Sequence, residues 1–489
     1  MGFPILSVII FTPLVAGLLI LVVPAERRNW IRGIALAASF LVLILTFILY
    51  FSYDSDAGGY QFLEKVPWVP ALGISYFVGV DGLGLPMILL SGIVLFSSVL
   101  ISWNVTDRSR EFFSFMMFLG SSVLGVFSSL DLFQLFFFFE IAIFPKYLMI
   151  LIWGSPKTRE YGSMKLTIYL FIGSVLALVG ALAIYTGSGE KTFDLLALEK
   201  ANFSTSFQQV WFPLVFLGFA ILGGIFPFHS WAPDGHVAAP TAISMLLAGV
   251  EMKVGMFAAL RVAFMLLPEG ARMWAPVIFV LATINVIYGA FIALIQKDFK
   301  YVIGFSSVSH MGLVMIGFAT LSSQGLLGAG IQMFSHGVMT ALFFAIVGMV
   351  YDRAHTREIS RLGGFVKKMP WAAFGFIVAG LVSMGMPGFS GFIAEFPIFM
   401  GAWRSVPLVA IIAVLGILIT AAYILLVVRR VFFGELSPEF SDVSDVTLFD
   451  KIAIGLLAFT MIALGWFPSL IETIVQSGVN HVLVLLGGA

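Results

Sequence analysis

Apolar runs of about twenty residues recur along this sequence from one end to the other. A helix of that length, rising 1.5 Å per residue, crosses the ~30 Å hydrocarbon core of a bilayer. The chain is 60% hydrophobic and 11% charged, whereas soluble domains carry roughly 25% charged residues. The sequence therefore predicts an all-α polytopic membrane protein with little mass outside the bilayer.

About fourteen spans are predicted, and they are called spans 1 to 14 below. Their residues are 3–23, 33–52, 79–103, 112–130, 133–153, 166–187, 209–228, 240–264, 273–295, 301–321, 326–350, 371–398, 406–428 and 451–468. Lys and Arg concentrate in the loops that follow odd-numbered spans, as in Arg27, Arg28 and Arg32 after span 1. Because such loops stay in the cytoplasm, we expect both termini outside. The charges follow the first apolar run instead of preceding it, so no cleavable signal is expected, and a bacterial plasma membrane is predicted.

Composition also argues against several kinds of chemistry. The net charge is zero, so nothing indicates nucleic-acid binding. The sequence has no cysteine, which excludes disulfides and thiol or iron–sulfur ligation by this chain. The six histidines show no spacing typical of a metal site. We therefore expect no cofactor and no metal in this chain.

Two spans carry glycine beside proline near their middle: GGIFPFHSW at 223–231 and MGMPGFSGF at 384–392. Proline removes a backbone donor, so both helices are predicted to break there. The second break falls five spans after the first, which reverses its direction and indicates two inverted repeats, spans 4–8 and 9–13. Broken helices in inverted repeats are typical of transporters; a proline kink that serves packing alone is the alternative. The expected units are 1–111, 112–264, 265–434 and 435–489.

Few charges fall inside the spans, and each is expensive there. Span 5 contains FFFFEIAIFPKY at 136–147, with Glu140 and Lys146; span 12 contains Glu395. Span 8 contains Glu251, Lys253 and Arg261. Acid and base alternate along the chain, which indicates a row of ionisable groups that pass protons. Structural ion pairs that fix helix packing are the alternative.

Histidines lie in the same part of the sequence. His229 and His236 flank the break in span 7, while His310 and His336 lie within spans 10 and 11. An imidazole can both donate and accept a proton, which suits a relay. The alternative is a histidine hydrogen-bonded to a backbone carbonyl.

Several long motifs resemble the antiporter-like membrane subunits of respiratory complex I, the proton-pumping NADH:quinone oxidoreductase, and above all their subunit M (chain 4) group. The resemblance extends over essentially the whole chain. The motifs are LDLFQLFFFFEIAIFP, HSWAPDGHVAAPTAISMLLAGVEMK, KDFKYVIGFSSVSHMG, FSHG and GMPGFSGFIAEF.

The resemblance implies residue roles. Glu140 corresponds to a span-5 glutamate that faces a lysine, Lys253 to the central span-8 lysine, and Glu395 to the outlet acid. His310 and His336 correspond to histidines of the central hydrophilic axis. At the cytoplasmic end of span 10, the resemblance implies a polar pair, Asp298 and Lys300.

The resemblance also implies the partners. Proton transfer would occur in this chain, while NAD(H) or another donor, FMN, iron–sulfur clusters and quinone would be bound by partner subunits. Neighbouring antiporter-like subunits, the lipid bilayer and protons are the expected partners. A cation/proton (Na⁺/H⁺) antiporter subunit, or a subunit of a membrane-bound hydrogenase or ferredoxin-dependent homologue, is the alternative.

One position departs from the family pattern. Relatives usually carry a lysine five residues before the span-7 proline, where this chain has Leu222. We therefore expect Lys146 to replace that lysine as the partner of Glu140; a lysine that extends to the cytoplasmic interface is the alternative. Glu251, two residues from Lys253, should point to the opposite face and have an accessory role, bonded to a neighbouring helix, paired with another subunit, or protonated.

Overall fold

The computed structural model describes residues 3–487, and twelve helices in that range are long and apolar enough to cross a membrane. Their bounds are Ile5–Val22, Arg28–Ser52, Gly84–Asn104, Ser109–Ser128, Leu132–Trp153, Arg159–Gly187, Thr241–Phe264, Pro268–Ile295, Phe299–Ala319, Ser323–Ala354, Pro407–Phe432 and Leu448–Trp466. They correspond to every predicted span except 7 and 12. The mostly helical membrane fold is thus confirmed.

Spans 7 and 12 are both divided into two helices. Span 7 comprises Thr205–Ala220 and Trp231–Ala238, and span 12 comprises Pro370–Ser383 and Ser390–Ser405. The breaks coincide with the predicted glycine–proline sequences. Four of the long helices lie between the two divided spans, so the divided spans cross in opposite directions. The total of fourteen spans and the four unit boundaries stay predictions.

The core of the molecule consists of a few helices that are buried on all sides. In their most apolar windows, spans 8 and 11 are 100% buried, and spans 3 and 10 are 94% buried. Spans 1, 2, 13 and 14 are less than half buried, as expected for helices that face lipid. Lys253, His310 and His336, which these helices carry, are therefore enclosed by other helices of the same chain.

A β-hairpin after span 2 was not predicted. Strand β1, Gln61–Val69, pairs antiparallel with strand β2, Ile74–Val80. Gly73 turns the chain between them at φ 69°, and a Cβ there would lie 2.0 Å from the carbonyl oxygen of Lys191. β-Branched and aromatic residues fill five of the seven positions of β2 and favour a strand. We call the membrane side that carries this hairpin the hairpin face.

The helix of span 3 begins at Gly84 and not at the predicted residue 79, because β2 occupies residues 74–80. Asp81 follows the strand, and its Oδ1 accepts a hydrogen bond of 2.8 Å from the backbone N–H of Gly84. A carboxylate at this position satisfies a donor that the first helical turn leaves free.

Asp81 also forms a buried ion pair at the hairpin face. Two nitrogens of Arg261, at the end of span 8, donate to the two oxygens of Asp81 at 2.7 and 2.9 Å. The Arg261 side chain is 3% exposed and that of Asp81 is 1% exposed. Arg261 also donates to the hydroxyl of Tyr60, 2.8 Å away. The pair therefore ties spans 3 and 8 and the segment before the hairpin together.

Replacing Arg261 by methionine should destabilise the protein strongly. The change leaves the Asp81 carboxylate buried without its cation, which typically costs about 3–5 kcal/mol of unfolding free energy. Unfolding of the detergent-purified protein would measure this. Arg361→Ala is the control, since Arg361 and Glu439 form an exposed pair worth at most about 1 kcal/mol. Equal losses for the two variants would contradict the role of the buried pair.

Candidate functional site

Four ionisable side chains follow one another through the buried helices. They are Lys253 in span 8, His336 in span 11, His310 in span 10 and Glu395 in the second half of span 12. Each is at most 2% exposed. Apolar side chains of the surrounding helices enclose these four groups, which are therefore shielded from solvent.

Lys253 lies beside an unusual stretch of span 8. Residues Leu247–Glu251 form a π-helical turn, and a second π segment occupies Ala259–Phe264. The Nζ of Lys253, which is fully buried, donates a hydrogen bond to the carbonyl oxygen of Ala248 within the first π turn. Such wide turns are frequent at functional sites because they free backbone carbonyls. Here the freed carbonyl satisfies one of the three donors of the lysine.

The two histidines of the row are neighbours. The rings of His310 and His336 have centroids 5.3 Å apart and planes inclined by 33°. A Cβ on Gly337, the residue after His336, would lie 2.6 Å from the carbonyl oxygen of Gly249, so span 11 packs closely against the π turn beside Lys253. Neither ring nitrogen of His336 has a hydrogen-bond partner among residues 3–487. Such an imidazole is free to accept a proton from one side and release it to another.

His310 connects the histidine pair to the acid of span 12. Its Nε2 lies 2.9 Å from the Oγ of Ser383, and its Nδ1 lies 3.3 Å from Oε1 of Glu395. The side-chain amide of Gln332 lies 3.3 Å from Nδ1 and donates to the same carboxylate oxygen at 3.5 Å. One imidazole is therefore in contact with a carboxylate, an amide and a hydroxyl.

The break in span 12 makes room for Glu395. Gly385 has φ 63°, and a Cβ on it would lie 2.6 Å from Oε2 of Glu395. Any larger residue would therefore collide with the carboxylate. That oxygen accepts no hydrogen bond from any side chain or backbone group in the described range. The glycine of GMPGFSGF thus serves both the turn and the site.

The predicted partnership of Lys146 with Glu140 is wrong. Lys146 forms a hydrogen-bonded ion pair with Oε2 of Glu251, and both side chains are 1% exposed. Six residues turn an ideal helix by about 240°, and the interruption at Ala142, between Ile141 and Ile143, does not bring the two side chains of span 5 onto one face. Lys146 is thus buried against span 8 and does not extend to the interface.

Glu251 takes one of the three predicted arrangements, a bond to a neighbouring helix. Glu140, in contrast, accepts a hydrogen bond from the hydroxyl of Ser174 in span 6. It is only partly buried, and three apolar neighbours on span 5 are exposed: Phe137, Ile141 and Phe144. Leu222, at the position of the family's lysine, is 2% exposed.

Lys300 lies at the end of the molecule opposite the hairpin face. Its Nζ donates to the carbonyl oxygen of Ala239 at 2.6 Å, and the side chain is 5% exposed. Lys300 lines a cavity of about 260 Å³, together with Ser155 and Thr241. Lys300 does not pair with Asp298, whose carboxylate instead lies 3.2 Å from Nε of Arg357.

The two histidines near the break of span 7 have different surroundings. His236 is fully buried, and its ring lies against that of Phe344 in span 11, with centroids 5.4 Å apart. His236 therefore lies beside span 11, which also carries His336. His229 packs instead against the rings of Phe226 and Tyr288, with centroids 5.5 and 5.0 Å away. The structure does not bring His229 to the row.

Sequence reasoning missed the neutral polar residues that connect the site. Gln332 lies four residues before His336 and hence on the same face of span 11; an amide at this spacing in an apolar span was a usable signal. Ser383 and Ser174 gave no comparable signal, because serine is common in membrane helices. Asn285 of span 9 was also missed, and it binds the broken segment of span 7.

Asn285 satisfies the backbone that the break exposes. Its Nδ2 donates to the carbonyl oxygen of Gly224 at 2.7 Å, and its Oδ1 accepts from the backbone N–H of Phe226 at 2.6 Å. Irregular backbone at membrane depth needs such partners. One amide side chain thus replaces two helical hydrogen bonds that the glycine–proline sequence removes.

Comparison with known proteins agrees with this architecture. A sequence profile described as "NADH:quinone oxidoreductase/Mrp antiporter, TM" matches residues 129–420. The chain belongs to the NADH:quinone oxidoreductase/Mrp antiporter family. The matched range includes spans 5 to 12, and thus Glu140, Lys253, the histidine pair and Glu395.

Relatives in this family are similar along their whole length. NAD(P)H-quinone oxidoreductase chain 4 of Gloeobacter violaceus is 36% identical over 478 residues, which cover 96% of this chain and 90% of the relative. NADH-quinone oxidoreductase subunit M of Rhodobacter capsulatus is 36% identical over 497 residues, 98% of this chain and 96% of the relative.

Solved structures agree in fold. A chain of respiratory complex I from Thermus thermophilus aligns with a TM-score of 0.91 at 28% identity, over 99% of this chain and 100% of that chain. A chain of the Mrp complex from Dietzia sp. aligns with a TM-score of 0.88 at 19% identity, over 100% and 99%. The second likeness shows the fold alone.

The arrangement can hold and move protons. Lysine, histidine and glutamate each exist in two protonation states, and the row places them in sequence from Lys253 to Glu395. No group of three or more His, Asp or Glu side chains that could hold a metal ion occurs between residues 3 and 487. Proton exchange is the chemistry that lysine, histidine and glutamate side chains offer.

Replacing Asn285 by leucine should destabilise the break in span 7. The change leaves the N–H of Phe226 and the carbonyl of Gly224 without their partner, at about 1–3 kcal/mol for each buried group. Thermal unfolding of the purified protein would measure the loss. Thr283→Val is a suitable control, because the hydroxyl of Thr283 bonds only within its own helix. Equal melting temperatures for the two variants would contradict the assignment.

Proposed function

We propose that this chain is a proton-translocating membrane-arm subunit of a respiratory NADH:quinone oxidoreductase, equivalent to subunit M. The observation that carries the proposal is the buried row Lys253–His336–His310–Glu395, in which the histidine rings are neighbours and Nδ1 of His310 lies 3.3 Å from Oε1 of Glu395. Titratable residues deep within a membrane domain are costly, and they mark ion or proton paths. The relatives named subunit M and chain 4 support the same assignment.

The chain takes part in the reaction without a redox centre of its own. NAD(H) or another donor, FMN, iron–sulfur clusters and quinone belong to partner subunits in this proposal. Moving one charge against 100 mV costs about 2.3 kcal/mol, so electron transfer in those partners must supply the energy. Neighbouring antiporter-like subunits transmit it, and the exposed side chains of Phe137, Ile141 and Phe144 offer a face for such contact.

Protons enter this path at the face opposite the hairpin. The cavity at Lys300 is the intake, and His236 leads from it towards Lys253. Lys253 then releases its proton to His336, and His310 passes it on to Glu395, which delivers it to the hairpin face. The positive charge of alternate loops supports a hairpin face outside the cell, with both termini there, in a bacterial plasma membrane.

A cation/proton antiporter subunit is the second candidate, favoured by the fold shared with the Mrp complex chain. Ion specificity separates the two. Proton pumping that is driven by NADH oxidation and unaffected by sodium supports the complex I assignment. Exchange that requires sodium and no electron donor supports the antiporter.

Removal of either end of the row should abolish pumping. Lys253→Met and Glu395→Gln each delete a titrating group, and loss of a proton-transfer group typically lowers rates by about 10²–10⁴-fold. The measurement is NADH-driven acidification in vesicles that contain the assembled complex. Arg361→Ala, on the exposed pair with Glu439, should pump like the unmodified protein. Unchanged pumping by both row variants would refute the proposed function.

A further inference from the structure

Among residues 3–487, two pairs of a carboxylate with lysine or arginine have both side chains at most 3% exposed: Arg261–Asp81 and Lys146–Glu251. Arginine stays protonated in proteins, whereas a buried lysine readily exchanges its proton. The Arg261 pair has two parallel hydrogen bonds, while Lys146 contacts a single oxygen of Glu251. The Arg261 pair thus keeps its charges, whereas the Lys146 pair can lose its charges by proton transfer.

Stability gives a weak reason to keep Lys146 and Glu251. Each buried ion loses several kcal/mol of hydration, and well-packed apolar residues of similar size are often equally stable. The second oxygen of Glu251, Oε1, has no hydrogen-bond partner within the described chain. A pair designed only to join two helices would use both oxygens.

The position of Glu251 connects the pair to the proton row. Glu251 ends the π turn Leu247–Glu251, and the carbonyl of Ala248 in that same turn accepts the hydrogen bond of Lys253. Glu251 and Lys253 are two residues apart, about 3 Å along the helix axis, and they point to different neighbours. A change in charge or geometry at Glu251 therefore acts directly on Lys253.

Glu140, the acid of span 5, has no basic partner in the described range. It accepts a hydrogen bond from Ser174 of span 6, and no lysine or arginine among residues 3–487 forms an ion pair with it. The span-7 position of Leu222 is buried and apolar. Lys146, the basic residue of span 5 nearest to Glu140 in sequence, pairs with Glu251 instead.

We propose that the Lys146–Glu251 pair, between spans 5 and 8, is the switch that sets the proton affinity of Lys253. With the pair closed, Lys146 neutralises Glu251, and Lys253 releases its proton to His336. With the pair open, the uncompensated carboxylate of Glu251 favours protonated Lys253, and the row reloads. This inference rests on the proposed function and specifies how its central lysine is regulated.

The test uses four variants of the assembled complex in vesicles, with pumping and NADH oxidation measured together. Lys146→Met and Glu251→Gln each leave one uncompensated group. Lys146→Met/Glu251→Gln removes both charges while keeping similar volumes, and Lys146→Glu/Glu251→Lys reverses them. We expect each single variant and the neutral double variant to lose at least about tenfold in pumping per NADH, equivalent to about 1.4 kcal/mol at Lys253.

The neutral double variant decides between a switch and a structural pair. A structural pair predicts that Lys146→Met/Glu251→Gln assembles and pumps like the unmodified complex, and this result would overturn the inference. A switch predicts normal assembly without coupled pumping, and partial recovery in the reversed pair. Assembly is read from the amount of subunit in the purified complex, so a variant that merely misfolds is recognised.

Two further variants separate this inference from the proposed function. If Lys253→Met abolishes pumping while Lys146→Met/Glu251→Gln does not, the inference fails and the proposed function stands. If Lys253→Met also pumps normally, the proposed function fails. Glu140→Gln is expected to reduce pumping less than Lys146→Met does. The reverse order would indicate that Glu140 sets the proton affinity of Lys253, and it would overturn the inference.

Discussion

The cost of placing charge inside a membrane protein determines much of this structure. An ionised group far from water must find an opposite charge, a hydrogen-bond donor or a carbonyl, or else become neutral. Lys146 has Glu251, Arg261 has Asp81, and Lys253 has the carbonyl of Ala248. The two ion pairs join span 8 to span 5 and to the start of span 3, whereas Lys253 bonds within its own span. The ion pairs thus help to fix which spans are neighbours.

The same constraint applies to the backbone. Helical hydrogen bonding satisfies main-chain groups along most of each span, and the two glycine–proline sequences interrupt it. In span 7 the amide of Asn285 accepts and donates in place of the lost bonds. In span 12 the break provides space beside Gly385 for the carboxylate of Glu395. Each break thus provides space or hydrogen-bonding groups for a buried polar side chain.

Local signals in the sequence predicted most of the spans, both helix breaks and several of the buried charges. Apolar runs located the spans, because length and hydrophobicity alone decide whether a helix can cross. Glycine beside proline located both breaks, and isolated charges located Lys253 and Glu395. The β-hairpin was missed, because its second strand merges with the predicted apolar start of span 3.

The partner of Lys146 could not be predicted in this way. Glu140 and Glu251 are both acids at middle depth, and sequence spacing does not tell which helix lies beside span 5. Because Leu222 replaces the family's lysine, Lys146 was expected to pair with Glu140. Helix packing instead places Glu251 of span 8 beside Lys146. Side-chain pairing between distant spans depends on how they rotate against each other, and the π turn ending at Glu251 changes that rotation for span 8.

The most direct test of a proton row is a density map of the assembled complex at a resolution that shows ordered water. Direct contacts already join His310 to Glu395, so the informative gap lies between Lys253 and the histidine pair. The account predicts ordered waters that bridge Lys253 to His336, because a buried polar gap of this kind holds water with two or more partners. A dry, apolar contact in that gap, in every state of the enzyme, would contradict it.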